Sequence, residues 1–384
     1  MRYDVFVTVW GQDFVEKFIE FSLASQLATG NLPALAEQSD IHYHIYTDRQ
    51  SKEYFEPALA ELARYAEPHF YFYDEIAFGG GRLDQAIANS EPSTIKHNVQ
   101  RITAQHMLSQ LEDSAAILLD SDFIIADGSL ARMHELRCQG KRGISTMLMR
   151  LDQDAAAPIL RHNLSAHLSP RALVRLCLDH MHPIFAAYFV DAEQPTSYPS
   201  QLNWRVGQKD NESGVVTHCL FPHPLMVVPD SMGGKGASKY FSTMDYEYVL
   251  RAVADDDAIH LSPSSDEILI CKLSPAGYLA DNKIGDPPSI DSMAHFMLNN
   301  SNIRHRSFMA QAIRFIADEN GEWEDCVGEA DRFIEAAYKS LELTVGQLST
   351  GDAATLLHLK SFLGPIEDFL SPQVQSRMQG WLSD

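Results

Sequence analysis

Apolar residues in the first third of the chain come in short β-branched and aromatic runs, separated by segments with helical spacing. Residues 4–10 (DVFVTVW) form the first run, continuous enough for a strand buried on both faces. Phe14, Phe18, Phe21, Ala24 and Leu27 then recur at helical intervals and predict a helix over 13–28. A strand from Ile41 to Tyr46, a helix around 51–65 and a strand at 69–73 follow, while 79–93, with Gly79-Gly80-Gly81, reads as loop or partial helix. A long helix over 94–111 leads into the apolar AAILL of 115–119. Strand, helix, strand, helix, strand in this order predicts an α/β fold, a mostly parallel sheet flanked by helices.

Beyond residue 150 the pattern turns helical to about 200, including SPRALVRLCLDHMHPIFAAYF, and is read as an insertion. Strand signals return at 215–221 and 225–228, a helix is predicted at 243–254 and a strand at 258–261. DNKIGDPPSID (281–291) is the best linker, which divides the chain into a domain over 1–285 and a helical C-terminal region over 286–384. No internal repeat or low-complexity tract interrupts this order.

The net charge of −22 over 384 residues, with no Lys/Arg cluster, argues against nucleic acid and anionic lipid as partners. A nucleotide substrate stays compatible with it, because a divalent ion neutralises a diphosphate locally. Five singly scattered cysteines, Cys138, Cys177, Cys219, Cys271 and Cys326, suggest reduced thiols. MRYDVFVTVWGQDF reads as a first strand and not a signal peptide, and no run approaches the ~18 apolar residues of a membrane span. A cytoplasmic protein is the expectation.

The strongest chemical feature is AILLDSDFIIADGSL (116–130). Asp120 and Asp122, one residue apart where a buried strand ends, can approach one hard cation from the same side, and Mg²⁺ and Mn²⁺ favour such oxygen ligands. Ligands of open parallel sheets bind at the carboxyl ends of the strands, where Thr8–Gly11, Thr47–Arg49 and Asp120–Asp122 all fall. Two other Asp-x-Asp triplets, Asp152/Asp154 and Asp255/Asp257, follow no apolar strand and read as solvated surface acids.

Arg101 followed by ITAQHMLSQLEDSAAILLDSDFIIADGSL resembles the central segment of GT-A-fold, DxD-type glycosyltransferases. The resemblance implies a GT-A (Rossmann-like) sheet, Asp122 on the metal, Asp120 on the metal or the donor's ribose, Ser121 between them in the donor site, and Arg101 near the nucleotide or its diphosphate. The strand ending Thr8-Val9-Trp10-Gly11 looks like the base and ribose pocket, and Asp48 like the acid that contacts the nucleoside. GGKGASKYFSTMDYEYVLRAVADDDAIHLSP (233–263) resembles the acceptor half of the inverting branch, with Asp245 as general base, Glu247 beside it and Arg251 on the helix. A sugar hydroxyl needs such a carboxylate within reach to lose its proton as it attacks. The His-x-x-Gly-x-x-Lys-Pro-Trp element of the retaining branch has no match. Together these imply a metal-dependent glycosyltransferase with a nucleotide-sugar donor, an unknown glycan, lipid or protein acceptor, and Mn²⁺ or Mg²⁺ as cofactor. The chain also resembles an uncharacterised bacterial group through TVWG, LSPRALVRLCLDHMHP and FPHPLMVVP.

Among sixteen histidines, His223 in CLFPHPLMVVP is a candidate third metal ligand or acceptor contact. His42 and His44, at i and i+2 on one strand face, lack a third ligand and read as edge-strand polar residues, and His180 and His182 as a helix cap or packing pair. Three rival readings share parts of the pattern. A haloacid-dehalogenase-like phosphatase needs Gly-Thr after the second Asp, where Phe123-Ile124 stands. A nucleotidyltransferase needs a basic, glycine-rich loop after the first strand, which GQDFVEKF lacks. A non-catalytic binding module on the same fold would keep the nucleotide pocket and lose the base.

Overall fold

A computed structural model describes residues 1–90, 92–109, 111, 114–163, 168–209, 211–229, 248–278 and 283–347. The chain divides into two compact units, Met1–His180 with Pro222–Ala276, and Met181–Phe221 with the chain from Gly277 onward.

The first unit is built on a seven-stranded sheet. Its strands are β1 (Arg2–Thr8), β2 (Asp40–Thr47), β3 (Glu67–Phe72), β4 (Ala115–Leu118), β6 (Gly143–Thr146), β10 (His223–Val227) and β11 (Ile259–Leu261). A short strand β5 (Phe123–Ile125) follows β4 outside this sheet. The order across the sheet is β11-β6-β10-β4-β1-β2-β3. Every neighbouring pair is parallel except the two that β10 makes, with β4 and β6. The expected α/β architecture, a mostly parallel sheet with flanking helices, is therefore present. β1 and β4 sit centrally and are buried almost throughout, which is why their sequences run apolar without alternation. Tyr3, Val5, Val7, Ile117 and Leu119 join helix residues Val15, Phe18 and Leu35 in one core.

Gly11 (φ +83°) turns the chain from β1 into the helix that starts at Gln12, a backbone setting that only glycine adopts without strain. That helix runs to Gln26 and contains a π-helical stretch, Phe18–Leu23, which the apolar spacing alone does not disclose. The long helix is Pro92–Leu108. The stretch read as an insertion holds helices Gln153–Asn163 and Pro170–Asp179 in the first unit and Pro183–Ala186 in the second. Two strands that local pattern missed, β7 (Leu148–Asp152) and β12 (Ile270–Ser274), join β5 in a second sheet with β12 in the middle.

The second unit pairs a hairpin, β8 (Gln201–Gln208) and β9 (Asn211–Cys219), with β13 (Ile313–Ile316). Helices Ile290–Asn300 and Trp323–Gln347 cover it through Met293, Met297, Ile334 and Leu341. Among the described residues of that C-terminal region, 286–347, helices predominate, apart from β13. Among the described residues no helix is long and apolar enough to cross a membrane.

Candidate functional site

The site grows from the end of β4. After Leu118 the chain bonds once more to its neighbour, Leu119 N–H to Phe6 O at 3.1 Å, and then leaves the sheet. Asp120-Ser121-Asp122 makes the turn, with Phe123 N–H reaching back to Asp120 O at 3.3 Å, and β5 carries the chain into the second sheet. The carboxylates thus sit on a tight link between two sheets. Because Phe6 pairs with Leu118, Asp120 stands level with Thr8.

Both carboxylates converge on one cationic atom. Lys272 Nζ lies 2.6 Å from Asp120 Oδ2 and 3.6 Å from Asp122 Oδ1. Lys272 is on β12, opposite Phe123 on one side and Arg150 on the other, so sheet register delivers all three to one place. Its ammonium also lies 5.4 Å from the centre of the Phe123 ring. Gln100, from the long helix, donates its side-chain amide to Asp120 Oδ1. Asp122 Oδ1 is buried and accepts no hydrogen bond.

The two acids are electrostatically unequal. Burial works against the Asp120 carboxylate, but the Lys272 charge and then that of His223 hold its pKa below the usual range. Asp122 is pushed up, first by burial and further by the charge of Asp120, with Lys272 offsetting part. Burial pulls the Lys272 pKa down, but the charges of Asp120 and Asp122 outweigh this and raise it above the usual lysine value. The donor set suits a hard divalent cation: two carboxylates face one point, and one of their oxygens is buried without a hydrogen bond. Lys272 contests that position.

His223 begins β10, and its Nε2 bonds to Leu118 O at 2.8 Å while its ring meets Phe123 edge-on at 4.8 Å. Ser121 is half-buried in the turn. Thr8 and Trp10 form a cluster at the ends of β1 and β2: Thr8 Oγ1 bonds to the Tyr73 hydroxyl at 2.9 Å, and Trp10 meets the Tyr73 ring at 84°. Asp48 accepts from Ser51 N–H and Oγ–H, both at 2.8 Å, and Ser51 Oγ accepts from Gly11 N–H, so the acid ties the two strand ends together. Arg101 follows Gln100 on the long helix and is half-buried. Asp245 and Glu247 lie outside the described residues, as do Ser231–Lys239 and residues 243–247 of the helix predicted at 243–254, whose described part is helical over Val249–Ala252.

Sequence reasoning missed Lys272, Gln100 and Arg150. The available signal was Lys272 itself, a lone charge inside the apolar run ILICKL. The other two Asp-x-Asp triplets resolve as caps. Asp152 Oδ1 accepts from Asp154 and Ala155 N–H at the start of a helix, and Asp255 accepts from Asp257 N–H. His182 likewise caps the short helix after it through Ile184 N–H. The five cysteines are free, though Cys177 and Cys271 meet in the core with sulfurs 3.2 Å apart.

No protein-family model matches the chain, and no curated protein matches it. Solved structures it resembles include glycosyltransferases. Residues 1–349 of Staphylococcus aureus TarS align at 10% identity and a TM-score of 0.37, covering 99% of this chain and 92% of that one. Mouse xyloside xylosyltransferase 1 aligns at 12% identity and a TM-score of 0.27, over 43% of this chain and 58% of that one. A putative glucose-1-phosphate thymidylyltransferase from Bacillus anthracis aligns at 7% identity and a TM-score of 0.24, over 40% of this chain and 56% of that one. The chain spans only 22% of the longer TarS chain it also matches. Likenesses this distant carry no weight for fold or activity.

Proposed function

We propose that the protein is a metal-dependent glycosyltransferase that moves a sugar from a nucleotide-sugar donor to a glycan, lipid or protein acceptor, with inversion at the transferred carbon. One observation carries the reading. Two carboxylates of unequal acidity converge on a single cationic point just past the carboxyl end of a central parallel strand, where open α/β sheets bind ligands. A divalent cation held by Asp120 and Asp122, Mn²⁺ or Mg²⁺, supplies charge neutralisation for the departing nucleoside diphosphate.

The remaining work falls to the chain. Gln100 and Lys272 fix the orientation of Asp120. Lys272 and Arg150, side by side across β12 and β7, supply fixed positive charge for phosphate oxygens. Thr8, Trp10 and Asp48 at the neighbouring strand ends, with Ser121, suit the nucleoside, and Arg101 the diphosphate. Asp245, with Glu247 beside it, takes the acceptor's proton. That role rests on sequence.

Thermal-shift titration with UDP-, GDP-, CMP- and dTDP-sugars, with and without Mn²⁺, tests the proposal, because a ligand bound only to the native state raises its melting point. One donor family should stabilise the wild type in a Mn²⁺-dependent way, and Asp122→Ala should abolish that shift while the unliganded melt stays near wild type. Equal Mn²⁺-dependent nucleotide affinity in Asp120→Ala and Asp122→Ala removes the site. Lys272 favours a second reading, in which its ammonium stands in for the metal and donor binding needs none. Nucleotide binding undiminished by a chelator selects that one.

A further inference from the structure

The first three strands carry a second cluster at the opposite end of the sheet. His42 is the third residue of β2, and Glu67 and His69 are the first and third of β3, the edge strand. Parallel register sets His42 beside Glu67 and His44 beside His69, and the two-residue strand period turns Glu67 and His69 to one face. The three side chains close into a triangle. His42 Nδ1 lies 3.0 Å from His69 Nε2, His42 Nδ1 lies 3.7 Å from Glu67 Oε2, and His69 Nε2 lies 3.7 Å from Glu67 Oε1. Among the described residues this is the one group of three such donors close enough to share an ion.

Those separations match a metal's bite. Donors about 2.05 Å from a tetrahedral ion stand about 3.3 Å apart, between the two spacings seen. The two ring planes lie within 8° of parallel with centres 5.2 Å apart, and the two nitrogens meet in a hydrogen bond. His44, the sequence-adjacent candidate, is excluded as a ligand because both its nitrogens are engaged, Nε2 with Asp4 Oδ1 at 2.7 Å and Nδ1 with the Tyr71 hydroxyl at 3.2 Å. It buttresses the site instead, its ring 5.5 Å from that of His69.

We propose that His42, His69 and Glu67 bind a late first-row divalent ion, best Zn²⁺, with water in the fourth position, clipping the edge strand β3 to β2. Two imidazoles and one carboxylate suit Zn²⁺ and its neighbours, whereas Mg²⁺ and Mn²⁺ prefer all-oxygen sites. The cluster is separate from Asp120 and Asp122. Asp4, paired with His42, is aligned with Ala116, so the two sites differ by four residues along the strands, about 13 Å, and two strands across, about 10 Å. The site therefore stands or falls independently of the transferase reading.

The test is equilibrium dialysis of the chelator-stripped full chain against Zn²⁺ with millimolar Mg²⁺ present, bound metal being read by atomic absorption. One Zn²⁺ per chain is expected in the wild type and in the Asp120→Asn/Asp122→Asn double variant. His69→Ala should weaken binding ~100-fold or more, and Glu67→Gln ~10-fold or more. Glu67 is 67% exposed, so its variant keeps the test valid should His69→Ala fold poorly. No tight Zn²⁺ in the wild type, Zn²⁺ lost with the aspartates, or full binding in Glu67→Gln overturns the proposal.

Discussion

Replacing Lys272 by methionine separates its two roles, because it removes the charge and keeps most of the apolar stem. The ammonium is 2.6 Å from Asp120 and 3.6 Å from Asp122, so it competes directly with any metal for these oxygens. Unit charges 4 Å apart interact by ~4 kcal/mol at an effective dielectric of 20 and by ~1 kcal/mol in bulk water. The side chains are 23%, 17% and 38% exposed for Lys272, Asp120 and Asp122, which favours the lower part of that range. A value of ~1.5 to 3 kcal/mol corresponds to roughly 10- to 100-fold. Without nucleotide, Lys272→Met should therefore bind Mn²⁺ at least ~10-fold more tightly than wild type. With Mn²⁺ saturating, its affinity for a nucleoside diphosphate should fall, because a phosphate-facing charge is gone. Isothermal titration of metal alone, then of nucleotide at fixed metal, reads both signs. Unchanged or weaker Mn²⁺ binding, in a variant whose melt shows it folded, refutes the placement of the ion between the two carboxylates.

Other expectations follow from single groups. Burial of Asp4 pushes its pKa up, but hydrogen bonds from His44 and Arg2, with the Ser114 hydroxyl nearby, outweigh this and bring it down to about 2. A depressed acid stabilises the fold above its unfolded value, and that contribution fades as pH falls from about 4 through about 2. Asp4→Asn should thus cost about 2 kcal/mol in urea unfolding at pH 7, with the gap from wild type closing towards pH 2; a gap independent of pH contradicts the assignment. Asp245→Asn should leave nucleotide affinity near wild type and slow transfer by ~10²-fold or more, and full turnover removes Asp245 as the base.

What the sequence makes legible here is what it encodes locally. β1 and β4 carry short apolar runs, β2 alternates apolar and polar residues, and Asp120 and Asp122 are visible because a buried strand runs straight into them. The rest of the site is assembled by pairing across long separations. Lys272 meets Asp120 from 152 residues away, through a sheet whose outer strands β5 and β7 are only three and five residues long. Such strands are too short to show a period, so β12 was missed although its lysine announced a partner: a charge in a buried run persists only where an opposite charge meets it. The histidines make the same point. Alternation correctly put His42 and His44 on one face, yet the residue that completes a donor set with His42 is His69 on the next strand, while His44 turns to Asp4. A local period fixes which way a side chain points. Strand order decides whom it meets, so chemistry that depends on two strands becomes visible only once the sheet is known.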